Sequence, residues 1–189
     1  MSENFYATPE ADLDQVSGKA PFYVVSTGKF MTLMVATLGL YGIYWFYRNW
    51  TGYRDYSGER IWPVPRAIFA IFFVHALFRH VIEKAEEEDV TVPFKHGSST
   101  FQYVFIAVLS FVLSQFSQRN IGSPLTDIAG VLLMFLLVWV MLPVQEGINR
   151  VCADAEGEGN SQITTANVLW ILFGLLMWVL MIIGVFTKV

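Results

Sequence analysis

Four long stretches of this 189-residue chain carry no ionised side chain, and that feature limits its possible folds more than any other. Residues 30–47 lie uncharged between Lys29 and Arg48. As a helix, eighteen residues measure about 27 Å, close to the thickness of a hydrocarbon core. Residues 101–116 sit inside an uncharged window from Gly97 to Gln118, and residues 128–144 lie between Asp127 and Glu146. Residues 166–186 form the most apolar stretch. Hydrocarbon offers no partner to a backbone amide or carbonyl, so each segment must close its hydrogen bonds within itself, as a helix does.

Composition supports the same environment. Hydrophobic residues make up 54% of the chain and charged ones 15%, against roughly 25% charged in soluble domains. The mean hydropathy is +0.48. A water-soluble sphere of this size would lack the polar surface to cover itself, and a disordered chain would be far less apolar. The net charge of −4 gives no general attraction to nucleic acid. Cys152 is the only cysteine, so no internal disulfide forms.

A fifth stretch, residues 67–78, is short, lies between Arg66 and Arg79 and is interrupted by His75. Its length suits an interfacial or re-entrant helix. Residues 64–83 would cross only if the two arginines extended their heads towards the surfaces. With five crossings, the twelve basic residues divide evenly, six to a side. With this segment held on one face, Arg48, Arg54, Arg60, Arg66, Arg79, Lys84, Lys95 and Arg150 share a side, eight against four. Basic residues concentrate on the cytoplasmic side, so the four-span arrangement is preferred, with both termini outside the cytoplasm.

The expected fold is all-α: a polytopic membrane helical bundle of four transmembrane helices plus one interfacial or spanning helix. A polar N-terminal tail covers residues 1–29, and a membrane domain covers 30–189, with helices near 30–48, 64–85, 100–118, 124–150 and 165–187. The first 29 residues carry Glu3, Glu10, Asp12 and Asp14 and lack an apolar core, so no cleavable signal is expected. Gly122-Ser123-Pro124 predicts a tight turn between the third and fourth spans. Ser98, Ser99 or Thr100 is expected to cap the third span, and Thr164 or Thr165 the last helix.

Two motifs resemble a known group. Asn4-Phe5-Tyr6-Ala7-Thr8-Pro9-Glu10-Ala11 resembles the Asn-Pro-Tyr-x-x-Pro-x-Ala leader of many small proteobacterial inner-membrane proteins, with Phe5 where that leader has proline. Tyr41-Gly42-Ile43-Tyr44-Trp45-Phe46-Tyr47-Arg48-Asn49-Trp50 is similar to the aromatic end of the first span in families of that group. The resemblance implies a multi-pass protein of a bacterial inner membrane and brings no activity with it. It also implies a leader that faces the cytoplasm, opposite to the orientation preferred above.

Two polar constellations stand out. His75, Arg79 and Glu83 repeat every four residues and would form one helical stripe. That stripe is either a proton-responsive or anion-coordinating face, or a headgroup-facing surface with an ordinary ion pair. Gln145 and Asn149 share a second face, beside the pair Glu146 and Arg150, and would line a cavity mouth or the exit of a helix from the membrane. Ser110, Ser114 and Gln118 form a stripe suited to helix packing. Arg48, Trp50, Arg54, Arg60 and Trp62 combine arginine with amphipathic aromatics and are candidate contacts to lipid headgroups.

None of the four charge-free segments holds the ionisable group that ion-coupled carriers keep at bilayer depth. No nucleophile elbow, phosphate-binding loop, His-Glu-x-x-His or Cys-x-x-Cys occurs. The expectation is a non-enzymatic membrane protein without catalytic residues, metal or cofactor, and without nucleic acid as a partner. It would act on the lipid bilayer, anionic lipids included, or on a second copy or another membrane protein. The alternative is a small channel or transporter whose path runs past His75, Arg79, Gln145 and Asn149. A membrane-embedded enzyme would instead need Glu83, Glu146 and His75 to meet at one cavity.

Overall fold

The computed structural model describes residues 20–187, apart from the side chain of residue 186; the leader motif at residues 4–11 lies outside them. Seven α-helices follow in order: α1 (Thr27–Ala36), α2 (Tyr41–Ser57), α3 (Pro63–Ile68), α4 (Ala70–Glu87), α5 (His96–Gln118), α6 (Leu125–Val151) and α7 (Thr165–Phe186). The all-α expectation holds. Three helices, α5, α6 and α7, are long and apolar enough to cross a membrane.

The first expected span is not one helix. At Leu38 and Gly39 the backbone takes φ of 53° and 84°, a left-handed pair that no α-helix continues through. The Gly39 N–H donates to Met34 O at 2.8 Å and the Leu38 N–H to Val35 O at 3.2 Å, closing the end of α1. Thr37 completes the turn: its hydroxyl donates to Leu33 O (2.7 Å) and accepts from the Tyr41 N–H (3.0 Å). The chain then folds back. Phe30 on α1 meets Tyr41 and Trp45 on α2, with ring centroids 6.3 and 5.9 Å apart. Hydropathy alone misses this break because every residue of the turn is uncharged.

The hairpin tip rests on the middle of α7. Trp178 donates its indole N–H to Val35 O at 2.9 Å. A Cβ at position 174 would stand 2.0 Å from Ala36 O, so only glycine lets the turn lie this close. Gly174 is nine residues into α7, about 14 Å along its axis. The hairpin tip therefore lies about halfway along α7, and both of its arms run back from there.

The fifth segment behaves similarly. α3 packs on α2, and its Val64, Ala67 and Ile68 share one groove wall with Leu40, Ile43, Tyr44 and Tyr47. The backbone bends at Phe69 (φ −98°, ψ 40°). Beyond the bend, α4 passes Trp50 and Tyr53 at His80 and Tyr56 at Lys84. Val74, Leu77, Phe78, Val81 and Ala85 recur at helical spacing and form its buried stripe. Residues 64–85 are thus two helices, α3 and α4, bent at Phe69, and neither is among the helices long and apolar enough to cross a membrane.

The core lies where these two bent units meet α5 and α6. Its centre is aromatic: Trp45 packs on Phe46 (4.9 Å), Phe46 on Tyr103 (5.6 Å) and Phe78 on Phe94 (5.8 Å). The buried residues of α6 fall between Val138 and Val151, and those of α5 between Ser99 and Ile106. α7 packs on α1, and beyond the core α5 and α6 pack on each other. At the turn between them, Ser117 and Ser123 donate to the Asp127 carboxylate, the latter at 2.6 Å.

Helix ends follow local chemistry. Thr164 caps α7 in a capping box with Asn167. α5 starts at His96, ahead of the serines expected to cap it, with Lys95 as N-cap. In the stripe expected for packing, Ser114 and Gln118 are exposed, and the Ser114 hydroxyl donates to Phe111 O on its own helix.

Candidate functional site

The segment from residue 20 to 26 is irregular backbone held inside the protein, between α2 and α6. The tail expected over residues 1–29 therefore does not extend this far: Phe22 and Val25 belong to the core. Buried irregular backbone needs partners for its amides and carbonyls, and side-chain amides supply them. Asn149 accepts from the Val25 N–H (3.3 Å) and donates to Val25 O (2.9 Å). Gln145 donates to Tyr23 O (3.2 Å) and Asn149 Oδ1 (2.7 Å), and its own oxygen accepts from the Trp45 indole. Asn49 accepts from the Tyr23 N–H at 3.1 Å and donates to Trp45 O at 2.9 Å. Asn160 donates to Val24 O and the Tyr23 hydroxyl, both at 2.9 Å.

Gln145, Asn149 and Asn49 are fully buried. Every side-chain polar atom of Gln145 and Asn149 is engaged in this network, so they hold residues 23–25 rather than line a cavity mouth. Cys152 joins it through a thiol contact to Phe22 O at 3.7 Å. Burial, with Asp154 nearby, pushes that thiol up to about 11.

Beside residues 20–24 opens a cavity of about 710 Å³ between α2, the loop before α7 and the first turns of α7. Its wall includes Tyr23, Tyr41, Tyr44, Arg48, Lys29, Asn160 and Trp170. The Arg48 guanidinium lies 4.8 Å from the Tyr23 ring centroid and 5.7 Å from that of Tyr44, and donates to the Tyr44 hydroxyl at 2.8 Å. The Lys29 ammonium donates to Asn160 Oδ1 and Gln162 O, both at 2.7 Å, and Lys29 is only 6% exposed. Two carboxylates share the wall and each is engaged elsewhere. Asp55 pairs with Arg54 at 2.7 Å, and Asp154 accepts from the backbone N–H groups of Glu158 and Gly159 at 2.9 Å. Neither Lys29 nor Arg48 has a carboxylate partner among the described residues.

An apolar groove of about 430 Å³ adjoins this cavity and shares Tyr44 and Trp170 with it. Its wall also includes Leu40, Ile43, Tyr47, Val64, Ile68 and Phe173, and reaches the hairpin tip.

The other expected site residues are dispersed. His75, Arg79 and Glu83 do form one exposed stripe on α4. His75 faces His96 of α5, with ring centroids 4.3 Å apart, and Arg79 pairs with Glu83 at 3.5 Å. Glu83 also meets His80 at 3.0 Å. None of these contacts reaches Gln145 or Asn149. Glu146 pairs with Arg150 at 2.5 Å instead of meeting Glu83 or His75.

Of the expected headgroup contacts, Arg48 lies in the cavity wall, Arg54 pairs with Asp55, and Arg60 and Trp62 are exposed. Trp50 is fully buried under the Arg66 guanidinium, 4.4 Å from its ring centroid, and so faces no headgroup. Sequence reasoning overlooked Lys29, Asn49 and Asn160. Their signal was there: a lysine at the edge of an uncharged run, and asparagines in an aromatic helix and in an exposed turn.

No family model, curated protein or solved structure matches the chain.

Proposed function

We propose that this multi-pass membrane protein acts by binding, not by catalysis or transport, and that it resides in a bacterial inner membrane with its two re-entrant units in the cytoplasmic leaflet. The observation that carries the reading is the distribution of cations. Among the described residues, every lysine and arginine except Arg119 lies on the side where the re-entrant units open. Basic residues stay on the cytoplasmic side, so the segment entering α1 faces the cytoplasm and α7 ends outside it. This reverses the N-terminal side favoured by counting four spans and agrees with what the leader motif implies.

Binding is favoured over conduction by where the polar groups point. A path past His75, Arg79, Gln145 and Asn149 would need the four around shared water. The two amides are instead committed to backbone at residues 23–25, while His75 and Arg79 face outward. Lys29, Arg48 and the aromatic residues Tyr23, Tyr44 and Trp170 line one cavity, a combination suited to anion and headgroup recognition.

Topology mapping tests the reading. In a Cys152→Ala background, Gly97→Cys and Glu158→Cys are expected to react with an impermeant maleimide only in inverted vesicles, and Gln118→Cys only in intact spheroplasts. Labelling of Gly97→Cys and Gln118→Cys from one side would remove α5 as a span. The opposite pattern would overturn the orientation.

A further inference from the structure

The cavity and the groove beside it have the polarity of a single amphiphile. At the outer end stand two cations, Lys29 and Arg48, in a wall of hydroxyls and amides. At the inner end stands an apolar channel that reaches the hairpin tip at Leu40. Tyr44 and Trp170 belong to both, and Tyr44 marks the change: its hydroxyl accepts from Arg48, while its ring also faces the groove. Both volumes lie within the range of about 300–1,000 Å³ usual for small-molecule sites.

Lys29 makes the argument specific. An ammonium this buried is costly unless an anion or a full set of acceptors compensates it. Its two recorded partners are neutral oxygens, Asn160 Oδ1 and Gln162 O. The carboxylates in the same wall, Asp55 and Asp154, are turned to Arg54 and to backbone N–H groups. The wall thus holds two cations, Lys29 and Arg48, that no carboxylate among the described residues pairs with. The groove is lined by side chains exposed to the bilayer, among them Val64, Ile68 and Phe173, so a ligand can enter sideways from the leaflet.

We infer that the cavity and groove together hold one anionic phospholipid of the surrounding leaflet, its phosphate at Lys29 and Arg48 and one acyl chain between α2, α3 and α7. The inference rests on the membrane reading proposed above and adds the ligand class and its pose. The direction of the site matches a lipid in that leaflet: headgroup end at the start of α7, chain end near mid-depth beside Phe173.

Native mass spectrometry of the full chain released from nanodiscs tests this. With mixed dioleoyl-phosphatidylglycerol and dioleoyl-phosphatidylcholine, one phosphatidylglycerol is expected to remain bound in preference to phosphatidylcholine. Arg48→Gln removes a charge-assisted contact and is expected to weaken retention about tenfold. Lys95→Gln, an exposed cation on the same side, is expected to leave it unchanged. Ile68→Gln alters the groove and leaves the cavity wall intact; it is expected to weaken retention of the dioleoyl lipid but not of its dihexanoyl analogue, which keeps the proposal testable if a cavity variant misfolds. Inorganic phosphate at millimolar concentration is expected not to displace the lipid. Equal retention of both lipids, equal losses in Arg48→Gln and Lys95→Gln, an unchanged Ile68→Gln, or displacement by phosphate alone would each overturn the proposal. Maleimide mapping that still returns the expected topology would show that the lipid site alone had failed.

Discussion

Asn149 connects a single side chain to the entry of the whole chain into the fold. Both backbone groups of Val25 depend on its amide. Replacing Asn149 by Leu strands a buried N–H and a buried carbonyl and is expected to destabilise the protein by about 3 kcal/mol. Trp45→Phe, which leaves only Gln145 Oε1 without its donor, should cost about 1–3 kcal/mol. Equilibrium unfolding in mixed micelles measures both, and the reverse order would show that the hub is anchored by the indole. Cys152 adds a pH dependence. Its thiol moves from the ordinary 9.0 to about 11 because burial disfavours the thiolate. The unfolded chain therefore releases this proton first, and the contribution to stability, intact below pH 9, is lost as the pH rises towards 11. Cys152→Ser should flatten that part of the stability profile. At pH 8 the folded protein should alkylate far more slowly than the unfolded chain.

Among the elements, α7 depends most on one position. Gly174→Val would push side-chain atoms into the carbonyl of Ala36 and separate α7 from the hairpin tip, breaking the Trp178 bond to Val35 O. A loss of about 1–3 kcal/mol is expected, read as a lower thermal midpoint and faster proteolysis between α6 and α7. Gly184→Ala, with nothing within 4 Å of the new methyl, should change neither. The elements also divide by how well the sequence announces them. α5, α6 and α7 were legible because charge-free length is what lipid demands, and the cap at Thr164 followed from its hydroxyl. The reversal at Leu38–Gly39 was not. A re-entrant hairpin and a span have the same hydropathy, and what separates them is two backbone angles held by Thr37. The paired role of Gln145 and Asn149 was legible as spacing. Their partner was not, since residues 23–25 lie more than a hundred positions away.

For the molecule as a whole, the polar network, the aromatic core and nearly all the cations gather towards one end. Among the described residues, α5, α6 and α7 alone continue to the other. On the topology proposed above, the protein is broad in one leaflet and slender in the opposite one. Each copy displaces unequal lipid area from the two monolayers, and unequal area is a bending moment. Crowded together, such wedges favour a bilayer whose leaflet around the broad end is convex. Reconstitution into small vesicles should accordingly orient the chain by shape, broad end outward, independently of charge.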